Sequence, residues 1–256
     1  EYKLAGAAIA TAMSQFVGGI VPLFYFSRKN SSILRLGKTS LDGAAIRKAC
    51  TNGSSEFMSS VSMNIVGMLY NRQLLKFAGE NGVAAYGVMM YVSLVFAAAF
   101  IGYSIGTAPV IGYHNGAENH TELQGLLRKS LILTGSFGIC MVVAAELLAV
   151  PLARIFVGYD SALMAFTVTG FRIFGLSFVF MGFAIFGSGF FTALNDGLTS
   201  ALISFLRTLV FEIAAVIVLP LIWGIYGVWI SIIFAEFMAF VLTGLFLVAK
   251  RKKYHY

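Results

Sequence analysis

NGVAAYGVMMYVSLVFAAAFIGYSIGTAPVIGY, residues 81–113, runs without a single Asp, Glu, Lys or Arg. A helix needs only about 20 apolar residues to cross the hydrocarbon core of a bilayer. One such block could be the core helix of a soluble protein, but several more flank it. The chain of 256 residues is 59% hydrophobic and only 11% charged, where soluble domains are roughly one quarter charged. Backbone groups in lipid must bond to one another, so uninterrupted helices are the structure these blocks take. The sequence reads as an all-α integral membrane protein, with the lipid bilayer as its first partner.

Outward from this block the pattern predicts seven spans: Leu4–Phe26, Gly53–Phe77, Gly82–Tyr113, Arg128–Val150, Ser161–Phe191, Leu198–Ile222 and Gly224–Ala249. Gly112, Pro151, Gly197 and Pro220 punctuate their ends. No basic segment or small-residue cleavage site marks a signal peptide, and the chain opens at Glu1. A larger amino-terminal portion is therefore expected to precede it. Cys50 and Cys140 carry no CxxC spacing, so no disulfide framework or metal site is expected.

The formal net charge of +7 raises the question of nucleic acid. The basic residues sit at the ends of apolar blocks, however, which is how membrane topology is written. With Ser27–Asn52 on the cytoplasmic side, that side holds Arg28, Lys29, Arg35, Lys38, Arg47, Lys48, Arg128, Lys129 and the run Lys250–Lys253. The opposite side holds only Lys3, Arg72, Lys76 and Arg154. This asymmetry places the carboxyl end in the cytoplasm of a multi-pass plasma-membrane protein and gives no role to nucleic acid. Ser31–Ala49 is expected to hold a short amphipathic helix along the membrane surface, with Ile33, Leu34, Leu36, Leu41 and Ile46 on its apolar side.

GAAIATAMSQF at residues 6–16 lies over GVWISIIFAEF at residues 227–237, an offset of 221 that contains six helices. Internal repeats are common in transporters. Read that way, residues 1–30 carry the last helix of an absent amino-terminal lobe, 31–52 form an inter-lobe loop, and 53–256 form a six-helix lobe. The whole would be a two-lobed protein of twelve helices.

Charges inside spans are costly and need partners or a function. Arg172, Arg207 and Glu212 are read as structural, pairing across helices, since an arginine in the path of a cation would repel it. Glu236 and Glu56 are candidates for the path of an ion or substrate, because a carboxylate in a low-dielectric cavity can exchange protons. Asn64 and Asn71 lie seven apart on one helix face, and Asn64 is the third path candidate. The antiparallel spans on either side of Ile222 set Arg207 and Glu236 at similar depth, so these two are expected to pair. Glu212, five residues from Arg207, would point about 140° away on an α-helix. Met63, Met68, Met89, Met90, Tyr91, Phe178 and Phe183 suit an adaptable apolar pocket or the ordinary core. Gly182, Gly187 and Gly189 suit close helix approach.

Several stretches together resemble one family. Ile105–Asn119, with Pro109, Gly112, Tyr113, Gly116 and Ala117, is similar to the segment closing the eighth helix of multidrug and toxic compound extrusion (MATE) transporters. Ser204–Arg207, Leu219-Pro220, Gly224–Trp229 and Glu236 resemble that family's eleventh and twelfth helices. Gly6–Thr11 and Asn52–Phe57 resemble the starts of the sixth and seventh. The resemblance implies an H⁺- or Na⁺-driven antiporter exporting bulky, often cationic lipophilic compounds, with no cofactor. The family's first-helix Asp has no counterpart here, and Ser161–Phe191, the tenth helix by this count, contains no acid. The coupling ion is therefore left open.

A lipid-linked oligosaccharide flippase is the alternative, and an arginine-rich hydrophilic cavity would favour it. A non-catalytic membrane scaffold is a remote third reading. No phosphate-cradling loop or HExxH occurs, and no His lies within a span. An enzyme is not expected.

Overall fold

The computed structural model describes residues 3–28 and 41–256. Its contacts divide the chain into two units, Glu1–Ala45 and Ile46–Tyr256. The first contains α1 (Lys3–Ser27). The second is built from α2 (43–78), α3 (80–116), α4 (His120–Val157), α5 (Ser161–Gly175), α6 (Phe178–Ala193), α7 (197–223) and α8 (225–254). No strand occurs among the described residues.

Two of these boundaries rest on a single glycine. Gly79, at φ 64°, separates α2 from α3, and Gly224, at φ 58°, separates α7 from α8. Both values lie in the left-handed region that residues with a Cβ avoid. The apolar runs through them extend over Ser60–Gly116 and Gly197–Tyr254, each far longer than the roughly 20 residues of one crossing. Each run is therefore two spans. With α1, α4 and the bent pair α5–α6, the described residues form seven spans, as the hydropathy pattern predicts.

The starts of α2, α4, α5 and α7 are set by acidic or amide caps. Asp42 accepts from the Ala44 and Ala45 amides, Asn119 from Glu122, Asp160 from Ala162 and Leu163, and Asp196 from Thr199. A side-chain oxygen here satisfies amides that the first turn leaves unpaired.

One expected span is broken. Ser161–Phe191 is two helices, α5 and α6, bent by 49°. At the break the amides of Leu176 and Ser177 bond three residues back, to Ile173 and Phe174. α4 packs closely there: a Cβ at Gly138 of α4 would sit 3.0 Å from the Phe178 carbonyl, and one at Gly175 would sit 3.0 Å from Ala145. α4 thus lies directly against the bend. The surface helix expected over Ser31–Ala49 falls largely outside the described residues. Its described end, from Gly43 onward, continues straight into α2.

α6 is the central post of the second unit. A Cβ at Gly182 would strike Phe100 of α3 and Thr134 of α4; at Gly187, Thr243 of α8; at Gly189, Ser104 of α3. Three helices therefore approach α6 at backbone distance, the packing that small residues permit in membranes. Hydroxyls join α6 to α7: Ser188 meets Ser200 at 2.9 Å and Ser204 at 3.0 Å, and Thr192 meets Ser200 at 2.6 Å. Large side chains such as Leu147, Ile155, Leu221 and Val248 point outward with more than 70% of their surface exposed. A protein in water would bury them.

One end of this unit gathers the basic segments. Gly197, opening α7, lies against Asn52 of α2. Tyr254, closing α8, donates to Asp196 at 2.9 Å, and Gln124 of α4 donates to the His255 carbonyl at 3.0 Å. Tyr256 folds back into a cluster with Phe190, Phe191 and Leu194 and is 4% exposed.

Candidate functional site

A cavity of about 630 Å³ opens between α2, α3, α5, α6, α7 and α8. Its wall is mostly apolar, with Met63 and Met90 on one side and Met181 and Ile185 on another. The serines at 93, 104, 188 and 204 add hydroxyls. Among the lining residues the charged ones are Arg207, Glu212 and Glu236.

Arg207 and Glu236 form the expected pair. The Arg207 Nη2 donates to Oε1 at 2.7 Å, and Nε donates to Oε1 and Oε2 at 3.1 and 3.0 Å. The Glu236 side chain is 4% exposed and that of Arg207 17%. A lone charge at this depth would be prohibitive, whereas a fork on both carboxylate oxygens is tolerable. The α7–α8 hairpin makes the pairing possible: Arg207 precedes the Gly224 turn by 17 residues and Glu236 follows it by 12, and the long arginine side chain spans the remaining difference of about 7 Å.

Glu212 does not turn away from Arg207 as an α-helical phase would place it. The chain from Leu206 to Phe211 is a π-helical turn, in which hydrogen bonds close between residues five apart. That brings Glu212 round toward the face carrying Arg207, and both line the cavity. Among the described residues the Glu212 side chain makes no hydrogen bond and no ion pair at contact distance.

The remaining site candidates lie elsewhere. Asn64 is exposed, donates to the Ser60 carbonyl of its own helix at 2.9 Å, and does not line the cavity. The backbone of Glu56 lies in α2, and its side chain is outside the described residues. Arg172 pairs with Glu146 of α4 at 3.2 Å, both half-exposed and away from the cavity. Of the flexible and aromatic residues considered, Met63 and Met90 line the cavity. Met89 and Phe178 are core, and Met68 and Tyr91 are exposed.

Two cavity-lining positions escape sequence reading, Tyr70 and Tyr86. Their rings stack at 5.0 Å and 10°, on the cavity wall. Tyr70 is 1% exposed, and its hydroxyl has no hydrogen-bond partner. The available signal was their placement at similar distances on either side of Gly79, which makes them facing residues once Gly79 is read as a hairpin turn.

The family model MatE matches residues 56–218. A probable multidrug resistance protein NorM of Thermotoga maritima is 27% identical over 240 residues, 91% of this chain and 50% of that protein. A multidrug export protein MepA of Staphylococcus saprophyticus is 22% identical over 92% of this chain and 52% of its own length. The chain thus spans about half the length of these curated relatives. A MOP superfamily transporter from Pyrococcus furiosus superposes with a TM-score of 0.87 at 21% identity, covering 98% of this chain and 57% of that one. An outward-facing MATE family multidrug resistance transporter gives 0.86 at 20% identity, with 98% and 56% covered. With more than half its length matched by the family model, the chain belongs to the MatE family.

Proposed function

We propose that this chain is the carboxy-terminal half of an antiporter, driven by H⁺ or Na⁺, that exports bulky and often cationic lipophilic compounds. The observation that carries this is the cavity itself: an apolar, methionine- and tyrosine-walled space holding two carboxylates, with its one cation neutralised by one of them. Methionines and aromatic faces accommodate varied apolar bodies, and the remaining acid gives a cation its partner. A lipid-linked oligosaccharide would call for a hydrophilic, arginine-rich cavity instead. The relatives' names, which speak of multidrug resistance and export, support the same reading.

Residues 1–30 are then the final helix of an amino-terminal lobe, 31–52 the link between lobes, and 53–256 the second lobe, with the carboxyl end in the cytoplasm. The path for substrate runs between the two lobes. Transport rather than catalysis is the activity, with a coupling ion and no resident cofactor. The test is ethidium efflux from cells carrying the full-length transporter, with the H⁺ and Na⁺ gradients collapsed separately. Efflux should stop when one of the two is removed. Efflux that persists with both collapsed, or none above empty cells, would overturn the proposal.

A further inference from the structure

The geometry points to Glu212, not Glu236, as the carboxylate that holds a monovalent organic cation in this cavity, with the Tyr70–Tyr86 stack as the wall against its apolar body. This rests on the efflux reading above and assigns the charge-recognising residue within it.

Three independent observations carry the assignment. Both oxygens of Glu236 are taken by the Arg207 fork, so that pair presents no net charge. Glu212 lines the same space on the π-helical face of α7 with no hydrogen-bonding or contact-distance ion-pair partner among the described residues, which leaves its oxygens open to a ligand. Opposite, Tyr70 is buried with its hydroxyl unbonded, and buried hydroxyls ordinarily find a partner. Tyr70 and Tyr86 both lie within electrostatic reach of Glu212.

A carboxylate beside aromatic rings is the chemistry that recognises a delocalised or quaternary cation. Arg207 would repel such a cation if it were free, and the Glu236 pairing removes that obstacle. Met63 and Met90 continue the apolar wall beyond the tyrosines. The π-helical turn is therefore the device that separates two acids by role, one tied to arginine and one left to the ligand.

The test uses purified full-length transporter in lipid nanodiscs with radiolabelled tetraphenylphosphonium as the cation and neutral triphenylphosphine oxide as a control. E212Q should weaken tetraphenylphosphonium binding by about tenfold or more while leaving the neutral compound unchanged. R172M/E146Q, which removes an ion pair away from the cavity, should keep the cation affinity within about threefold. A second measurement needs no variant: in the wild-type protein, dicyclohexylcarbodiimide should label Glu212, and tetraphenylphosphonium should suppress that label, as read by peptide mass spectrometry. Unchanged cation binding in E212Q, an equal loss of it in R172M/E146Q, or protection of Glu236 in place of Glu212 each overturns the assignment while leaving the efflux reading intact. Wild-type protein that neither binds tetraphenylphosphonium nor moves ethidium overturns the efflux reading and this assignment with it.

Discussion

Pro220 has no amide hydrogen, so the carbonyl of Val216, four residues earlier, loses its helical donor. Gln73 of α2 supplies the replacement, its Nε2 donating to that carbonyl at 3.2 Å. An unpaired carbonyl facing other helices has no water to turn to. Gln73→Leu should therefore lower thermal stability in detergent by about 1 kcal/mol, and Gln73→Leu with Pro220→Ala, which restores the amide, should recover it. No recovery in the double variant would show that Gln73 acts elsewhere. At this scale the sequence was partly readable. Arg207 and Glu236 could be paired because helix rise and an antiparallel hairpin fix their depths. Glu212 could not be placed, because an α-helical phase of about 140° from Arg207 was assumed and nothing in LRTLVF (206–211) announces a π turn. The Asn64 amide donates to the Ser60 carbonyl of its own helix, a choice that leaves no mark on spacing.

At the scale of elements, α6 shows how helix contact is set by what is missing. A Cβ at Gly187 would overlap Thr243 Cγ2 but would lie 3.5 Å from Thr243 Cβ, an ordinary contact. Gly187→Ala should thus cost about 1–3 kcal/mol by overpacking. Thr243→Ala removes the offending methyl together with a hydroxyl that has no partner, and the double variant should regain most of the loss. Additive losses in the double-variant cycle would exclude this contact as the cause.

The start of α7 carries a pH dependence. Burial would raise the Asp196 carboxyl, but bonds from Tyr254 and Thr199 and the charge of Lys250 outweigh it and hold its pKa below the usual value. A depressed carboxylate stabilises the fold above its unfolded pKa, and that contribution fades as pH falls through the folded one. Asp196→Asn should lower the melting temperature at pH 7, and the gap to wild type should close below about pH 4. A gap that stays constant from pH 7 to pH 3 would deny Asp196 this role. The helix turns at Gly79 and Gly224 were visible as glycines between apolar runs. The bend between α5 and α6 was not, since IFGLSFVF (173–180) reads as continuous apolar helix, and the close approach of α4 at Gly138 and Gly175 is invisible in it.

At the scale of the whole molecule, seven spans were legible because the bilayer leaves a strong periodic record of length and polarity. The cavity was not, because its lining comes from six helices and its exposure depends on how they lean. Orientation is a separate and testable matter. Cys50, free and exposed in the first turns of α2, should react with a membrane-impermeant maleimide in inverted vesicles and stay unlabelled in right-side-out ones, when it is the sole cysteine of the full-length transporter. The reverse pattern would invert the entire topology. The left-handed glycines have a bearing on this face of the protein too. Because α2 passes into α3 at Gly79 alone, and α7 into α8 at Gly224 alone, the side opposite Lys250–Lys253 offers almost no slack chain at these two reversals. Proteases cutting flexible loops, antibodies raised to linear peptides and inserted epitope tags would find little there to grip, so this lobe is addressable chiefly from its basic side.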